Sequence, residues 1–184
     1  DLAPGTYKLT FGQPAGYTPT AQDQGADDVD SDMNPGSFMT INTVLVSGES
    51  DLTWDAGFYK PAEIGNYVWN DLNTDGIQDG NETGIPNVLV TLSGNDGAGN
   101  PVTLTTTTDG SGFYKFDDLA PGTYKLTFGT PGPGYELSPQ DQGGDDTADS
   151  DAAPGTLMTI NTVLESGESD LTWDAGFYQP MPSI

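Results

Sequence analysis

The sequence predicts an all-β chain of tandem antiparallel β-sandwich repeats, about seven strands to the unit, and three observations lead there. Apolar residues fall in short runs such as Val88-Leu89-Val90-Thr91-Leu92, without helical spacing. Gly (25) and Pro (14) punctuate those runs as turns do. Whole stretches also return: residues 1–12, DLAPGTYKLTFG, recur at 118–129, and residues 47–59, SGESDLTWDAGFY, recur at 166–178. The period of about 118 residues is too long for a solenoid unit and fits a whole sandwich domain.

The phase of the repeat sets the expected domains. Residues 1–60 supply the second half of one unit, 61–63 a linker, 63–179 a complete unit, and 180–184 a linker with the start of the next, Ile184 matching Ile64. Repeats cut at both ends imply a polypeptide that continues in both directions, or neighbouring copies that complete each other head to tail. Within the complete unit, strands are expected near 64–70, 87–93, 102–108, 113–116, 123–128, 156–164 and 171–178. Seven strands imply two packed antiparallel sheets. Tyr67, Trp69, Tyr124, Phe128, Trp173 and Phe177 alternate with polar neighbours and are expected in the core. Pro61 and the Pro180-Met181-Pro182 run read as short linkers that restrict hinge motion.

Charge narrows the function. Four lysines, no arginine and 28 acidic residues give a net charge of −24, spread along the whole chain. Nucleic acid is excluded as a partner, because its phosphates would be repelled. No apolar run approaches the roughly 20 residues of a membrane-spanning helix. The absence of Cys and His removes thiol nucleophiles, imidazole bases and disulfides, so any metal is bound through oxygen. Carboxylates this dense repel one another unless a cation neutralises them.

The sharpest local signal runs from Asp71 to Glu82. It places Asp71, Asn73 and Asp75 at positions 1, 3 and 5, Gly76 at 6, the Ile77 carbonyl at 7, Asp79 at 9 and Glu82 at 12. That is the complete oxygen-ligand pattern of a calcium loop, in which glycine permits the bend and the last Glu chelates with both oxygens. Strands in place of the usual helices flank it, which argues for a static site and against a switch. A second acidic segment holds Asp141, Asp145, Asp146, Asp149 and Asp151, and its counterpart in the other copy holds Asp23, Asp27, Asp28, Asp30 and Asp32. Five carboxylates so close read either as further calcium sites or as a solvated acidic loop. Paired carboxylates also serve glycosidases, but these sit in metal-type loops, so no enzyme is expected.

The motifs around these loops carry a resemblance. Gly65-Asn66-Tyr67-Val68-Trp69 before the loop, Gly84-Ile85-Pro86-Asn87-Val88 after it, Tyr114-Lys115-Phe116, Gly122-Thr123-Tyr124 and Ala175-Gly176-Phe177 together resemble the B-type repeats of serine-aspartate repeat surface adhesins. The resemblance spans the whole unit. It implies an immunoglobulin-like sandwich related to the collagen-adhesin B-type fold, several calcium ions per unit, and a rigid extracellular stalk at a cell surface. It carries the calcium role onto Asp71, Asn73, Asp75, Ile77, Asp79 and Glu82, and onto the 141–151 loop. Some relatives of this fold lock themselves with a Lys to Asn isopeptide. The expected first strand has no Lys and the last no Asn, so calcium is expected to supply the stiffness.

The leading expectation is therefore a calcium-stiffened spacer or fibre segment whose partners are neighbouring repeats or identical copies. The alternatives are an adhesin module contacting a surface protein or glycan through its loops, and a filament subunit joined by strand complementation.

Overall fold

The computed structural model describes residues 2–181, so the expected opening of a further repeat at 182–184 lies outside the described residues. The chain divides into two compact units, Asp1–Pro61 and Ala62–Ile184. Among the described residues no helix is long and apolar enough to cross a membrane.

The first unit holds two small antiparallel pairs. Strand β1 (Gly5–Tyr7) pairs with β3 (Thr43–Leu45), and β2 (Thr18–Pro19) pairs with β4 (Phe58–Tyr59).

The second unit is a two-sheet sandwich. Its first strand, β5 (Ala62–Asn70), begins inside the stretch expected as a linker. The others are β6 (Leu89–Asp96), β7 (Pro101–Thr107), β8 (Phe113–Leu119), β9 (Gly122–Phe128), β10 (Glu136–Leu137), β11 (Thr162–Leu164), β12 (Ser169–Asp170) and β13 (Ala175–Tyr178). One sheet runs β11-β9-β6-β7 and is antiparallel throughout. In the other, β5 pairs antiparallel with β8 and parallel with β12 and then β13, and β10 flanks β13.

Three expectations are corrected here. The described unit has nine strands in place of about seven. One sheet is mixed, because the first and last strands run side by side in the same direction. The stretches expected as single strands at 171–178 and 156–164 are broken. The first breaks at Asp174, whose Oδ1 accepts the Tyr67 N–H at 2.9 Å, so a side chain takes a ladder position. The second begins with a tight loop closed by the Ala153 N–H to Met158 O bond, with Leu157 at φ 61°; Met158 makes only isolated bridges, to Ala153 and Thr127, and the last three residues alone form a strand.

The core lies between the sheets. Period-2 alternation sends Val90 and Leu92 of β6, Tyr124, Leu126 and Phe128 of β9 and Phe177 of β13 inward, and all are buried. Tyr114 meets Phe128 edge to face, ring centroids 5.6 Å apart. Trp69 is also fully buried, whereas Tyr67 and Trp173, expected in the core, are half-buried.

Candidate metal centre

The loop that follows β5 is organised by its own acidic side chains. The Asp71 N–H donates to the Phe177 carbonyl at 2.9 Å, tying the loop to the end of β13. Its buried carboxylate accepts the Thr74 and Gly76 N–H groups. Gly76 has φ 79°, and a Cβ there would lie 2.3 Å from the Pro139 carbonyl, so both backbone and space demand glycine. The Asp75 carboxylate accepts the Ile77 N–H at 2.9 Å. Asn73 donates to Asp75 and Asp79 through its side-chain amide. Glu82 closes the loop with both oxygens: Oε1 accepts the Leu72 N–H at 2.7 Å and Oε2 the Asp79 N–H at 3.0 Å.

This loop lies against the second acidic segment. Ile77 and Asp149 are antiparallel bridge partners, the Gln78 N–H donates to the Ala148 carbonyl at 2.7 Å, and the Ser150 N–H donates to the Gly76 carbonyl at 3.1 Å. In that segment Asp146, Asp149 and Asp151 each offer a carboxylate oxygen within 4.8 Å of the others. Asp149 and Asp151 are buried, and Asp149 Oδ1 has no hydrogen-bond partner.

Burial raises the Asp149 carboxyl above its ordinary value, and the carboxylates of Asp146, Asp141 and Asp145 add to the effect. Burial pushes Asp151 up to about 8, with Asp146, Asp149 and Asp141 adding to it and the Asp174 N–H opposing. Asp174, on the segment between β12 and β13, is fully buried. Burial, then the neighbouring Asp151 carboxylate, pushes it up to about 9, against hydrogen bonds from the Tyr67 N–H and the Asn66 amide.

A similar construction stands in the first unit, sharing two of the three positions, with Asp23, the equivalent of Asp141, in place of the equivalent of Asp146. Asp23, Asp30 and Asp32 bring carboxylate oxygens within 4.8 Å of one another. Asp32 accepts the Asp55 N–H as Asp151 accepts that of Asp174, and Ser31 Oγ accepts the Gly57 N–H as Ser150 Oγ accepts that of Gly176.

Among the described residues, then, two carboxylate groups converge, one per unit. Asp141, Asp145, Asp27 and Asp28 lie outside them, and Asp145 is held below its ordinary value by the Thr147 hydroxyl and N–H. The side chains of Asp71, Asn73, Asp75, Asp79 and Glu82 and the backbone of Ile77 form the loop just described, without a third such group. Sequence reasoning missed Asp174 and its equivalent Asp55. The available signal was an acid at the same place in both copies, inside a segment that otherwise reads as strand.

The residues present fit a hard divalent cation. The donors are all oxygen, one buried carboxylate oxygen is unpartnered, and the burial of neighbouring acids disfavours their charged forms unless a cation is shared between them.

Sandwich topology, dense negative charge and converging carboxylate loops define an acidic β-sandwich repeat. The family model described as SdrD B-like domain matches residues 1–58 and 62–177, and the chain belongs to that family. It is 42% identical over 176 residues to a bone sialoprotein-binding protein of Staphylococcus aureus (strain MRSA252), covering 95% of this chain and 14% of the relative. It is equally similar to serine-aspartate repeat-containing protein E of strain Mu50. To serine-aspartate repeat-containing protein D of strain Newman it is 39% identical over 180 residues, 97% of this chain and 12% of the relative. The chain thus spans about one seventh or less of these relatives. A minor pilin of Streptococcus agalactiae matches with a TM-score of 0.43 at 14% identity, covering 78% of this chain and 61% of the pilin. The Bacillus anthracis TIE protein matches with 0.44 at 19%, covering 96% and 25%. Membership makes this chain a repeat of a surface-adhesin family, located outside the cell at its surface.

Proposed function

We propose that each complete unit is a calcium-stiffened structural segment of a stalk, with neighbouring repeats as its partners and no catalytic role of its own. The observation that carries this reading is the bridge between Ile77 and Asp149. It makes the 71–82 loop and the 141–151 loop a single clasp at the end of β5 and β13. Asp146, Asp149 and Asp151 would hold one ion, and Asp71, Asn73, Asp75, Ile77, Asp79 and Glu82 are the residues proposed to hold another. In the first unit the same role falls to Asp23, Asp30 and Asp32. Bound calcium supplies charge neutralisation and ties carboxylates from separate chain segments together.

Pro61, which fixes its own backbone φ, stands between β4 and β5, as suits a spacer. The test is thermal unfolding of the whole chain in excess chelator and again after calcium is restored. The expected result is a reversible fall in melting temperature of at least about 5 °C, since binding to the folded state alone stabilises it by mass action. Identical melting curves would overturn the calcium reading.

A further inference from the structure

Among the described residues, two seven-residue strands of the sandwich pair along one side only, β7 with β6 and β8 with β5. An open strand edge invites further pairing unless charge, a bulge or proline blunts it. β8 is blunted: it carries Lys115, Asp117 and Asp118, its register with β5 shifts at an irregularity, and Asp118 stands at φ 56°. β7 is not. From Pro101 to Thr107 it holds no charge in a chain of 28 acids, its seven pairs with β6 run without a shift, and its proline stands at the first position only. Five of its seven residues are exposed, so solvent reaches the edge. Hydrogen bonds just beyond the strand fix which backbone groups point outward. The Asp96 N–H donates to the Asn100 carbonyl and the Thr108 N–H to the Val88 carbonyl, so alternation along the antiparallel ladder turns Val102, Leu104 and Thr106 toward β6. Thr103, Thr105 and Thr107 turn their N–H and C=O groups to the open side, and Pro101 turns its C=O alone.

We infer that β7 is a docking edge for β7 of a second copy of this chain, the two strands running antiparallel about a two-fold axis with Leu104 opposite Leu104 of the second copy. In that register Thr103 faces Thr105 of the second copy and Pro101 faces Thr107, so outward groups meet outward groups. The N–H that Pro101 lacks is missed only at the two ends of the ladder. Threonine pairs opposite one another favour such an edge, and Leu104, 42% exposed beside buried Leu92, gains an apolar neighbour at its centre. Charge argues for the same place. Two chains of net charge −24 repel over most of their surfaces, and a long edge without carboxylates is where strands of two copies approach with least repulsion. An interface of one strand edge is small, so the pair is weak and forms where copies are crowded together. No residue of β7 belongs to the acidic loops, and the pairing is independent of bound metal.

The test follows amide hydrogen exchange of the full chain by NMR. Between dilute solution and about 1 mM, exchange at Thr103, Thr105 and Thr107 should slow at least about twofold, while Val102, Leu104 and Thr106, already bonded to β6, should not change. Equal rates at both concentrations would overturn the proposal. Thr105→Pro removes an outward N–H and no bond to β6, so it should leave the melting temperature within about 3 °C and abolish the slowing at Thr103 and Thr107. Slowing that survives the proline would place the contact elsewhere and overturn the proposal too. Single cysteines, in a chain that has none, test the register. Opposed residues of a non-hydrogen-bonded antiparallel pair have Cα atoms about 4.5 Å apart, within disulfide range, so Leu104→Cys should cross-link between copies at least about tenfold faster than Thr107→Cys under mild oxidation. Equal cross-linking rates would overturn the two-fold pairing, and that comparison decides even where the proline variant fails to fold.

Discussion

Ile77 and Asp149 face each other as antiparallel bridge partners, with hydrogen bonds from Gln78 to Ala148 and from Ser150 to Gly76 beside them. Two acidic loops far apart in sequence are thereby one folded piece, and a change that unties the first loosens the second.

Glu82→Ala should therefore cost more than its own contacts. Both Glu82 oxygens accept backbone N–H groups, and their loss costs about 3 kcal/mol. Asp96 also accepts from the backbone, at Ala98 and Asn100, but in an exposed turn where water replaces it, for about 1 kcal/mol. In calcium titrations Glu82→Ala should weaken binding at least about tenfold, a loss of one good ligand, and Asp96→Ala should leave it unchanged. Equal affinities would remove Glu82 from any metal site.

How far the sequence discloses this arrangement can be judged residue by residue. Val88, Val90 and Leu92 alternate with polar or exposed neighbours, and their burial was readable because one face of a strand is a local pattern. The direction of a partner strand is not local, so the parallel pairing of β5 with β13 was not readable. Among the five acids of 141–151, nothing in the spacing marks Asp146, Asp149 and Asp151 as the three that converge. Which three converge is decided by how the loop folds, and that fold includes the bridge from Asp149 to Ile77. Asp174 was hidden for the opposite reason: its neighbours spell a strand, and the carboxylate that interrupts it is stabilised by Asn66 and Tyr67, more than a hundred positions earlier.

Gly84→Ala should unfold or displace the strand end. Gly84 bridges Trp69, and a Cβ there would lie 1.7 Å from the Ser111 carbonyl and 2.6 Å from Tyr67 Oη. Overpacking of that order costs about 3 kcal/mol or more. Gly80→Ala meets nothing within 4 Å and should change stability by less than about 0.5 kcal/mol. Denaturant midpoints of the two variants decide it, and similar values would mean that the Gly84 contact relaxes freely.

Lys115 and Glu63 tune each other. The Lys115 hydrogen bond, with that of Ser169, holds the Glu63 carboxyl below its ordinary value, and Glu63 raises Lys115. A lowered carboxylate contributes stability above the ordinary glutamate range and loses it as pH falls through the depressed value. A raised lysine contributes below its ordinary range and loses it as pH rises through the elevated one. The pair thus acts across the neutral window. In Lys115→Met, the Glu63 titration midpoint followed by NMR should move upward. A midpoint that stays put would assign the shift to Ser169 alone.

The same pair decides whether the repeat carries a covalent lock. Lys115 Nζ lies 2.8 Å from Glu63 Oε2 and 3.6 Å from Asp117 Oδ2, with the Lys115 and Glu63 side chains about a third exposed. Isopeptide formation needs a neutral amine as nucleophile and a protonated carboxyl or an amide as electrophile. Here each partner holds the other in its charged form, so the ammonium has no free lone pair and the carboxylate resists attack. β5 carries no Lys and β13 no Asn, so the strand pair used by locked relatives lacks both reactants. The intact mass of the chain should therefore equal the mass calculated from its sequence. A deficit of about 18 Da would mean a Lys–carboxylate bond, and one of about 17 Da a Lys–Asn bond. Either would transfer the stiffness of the repeat from its loops to a covalent cross-link.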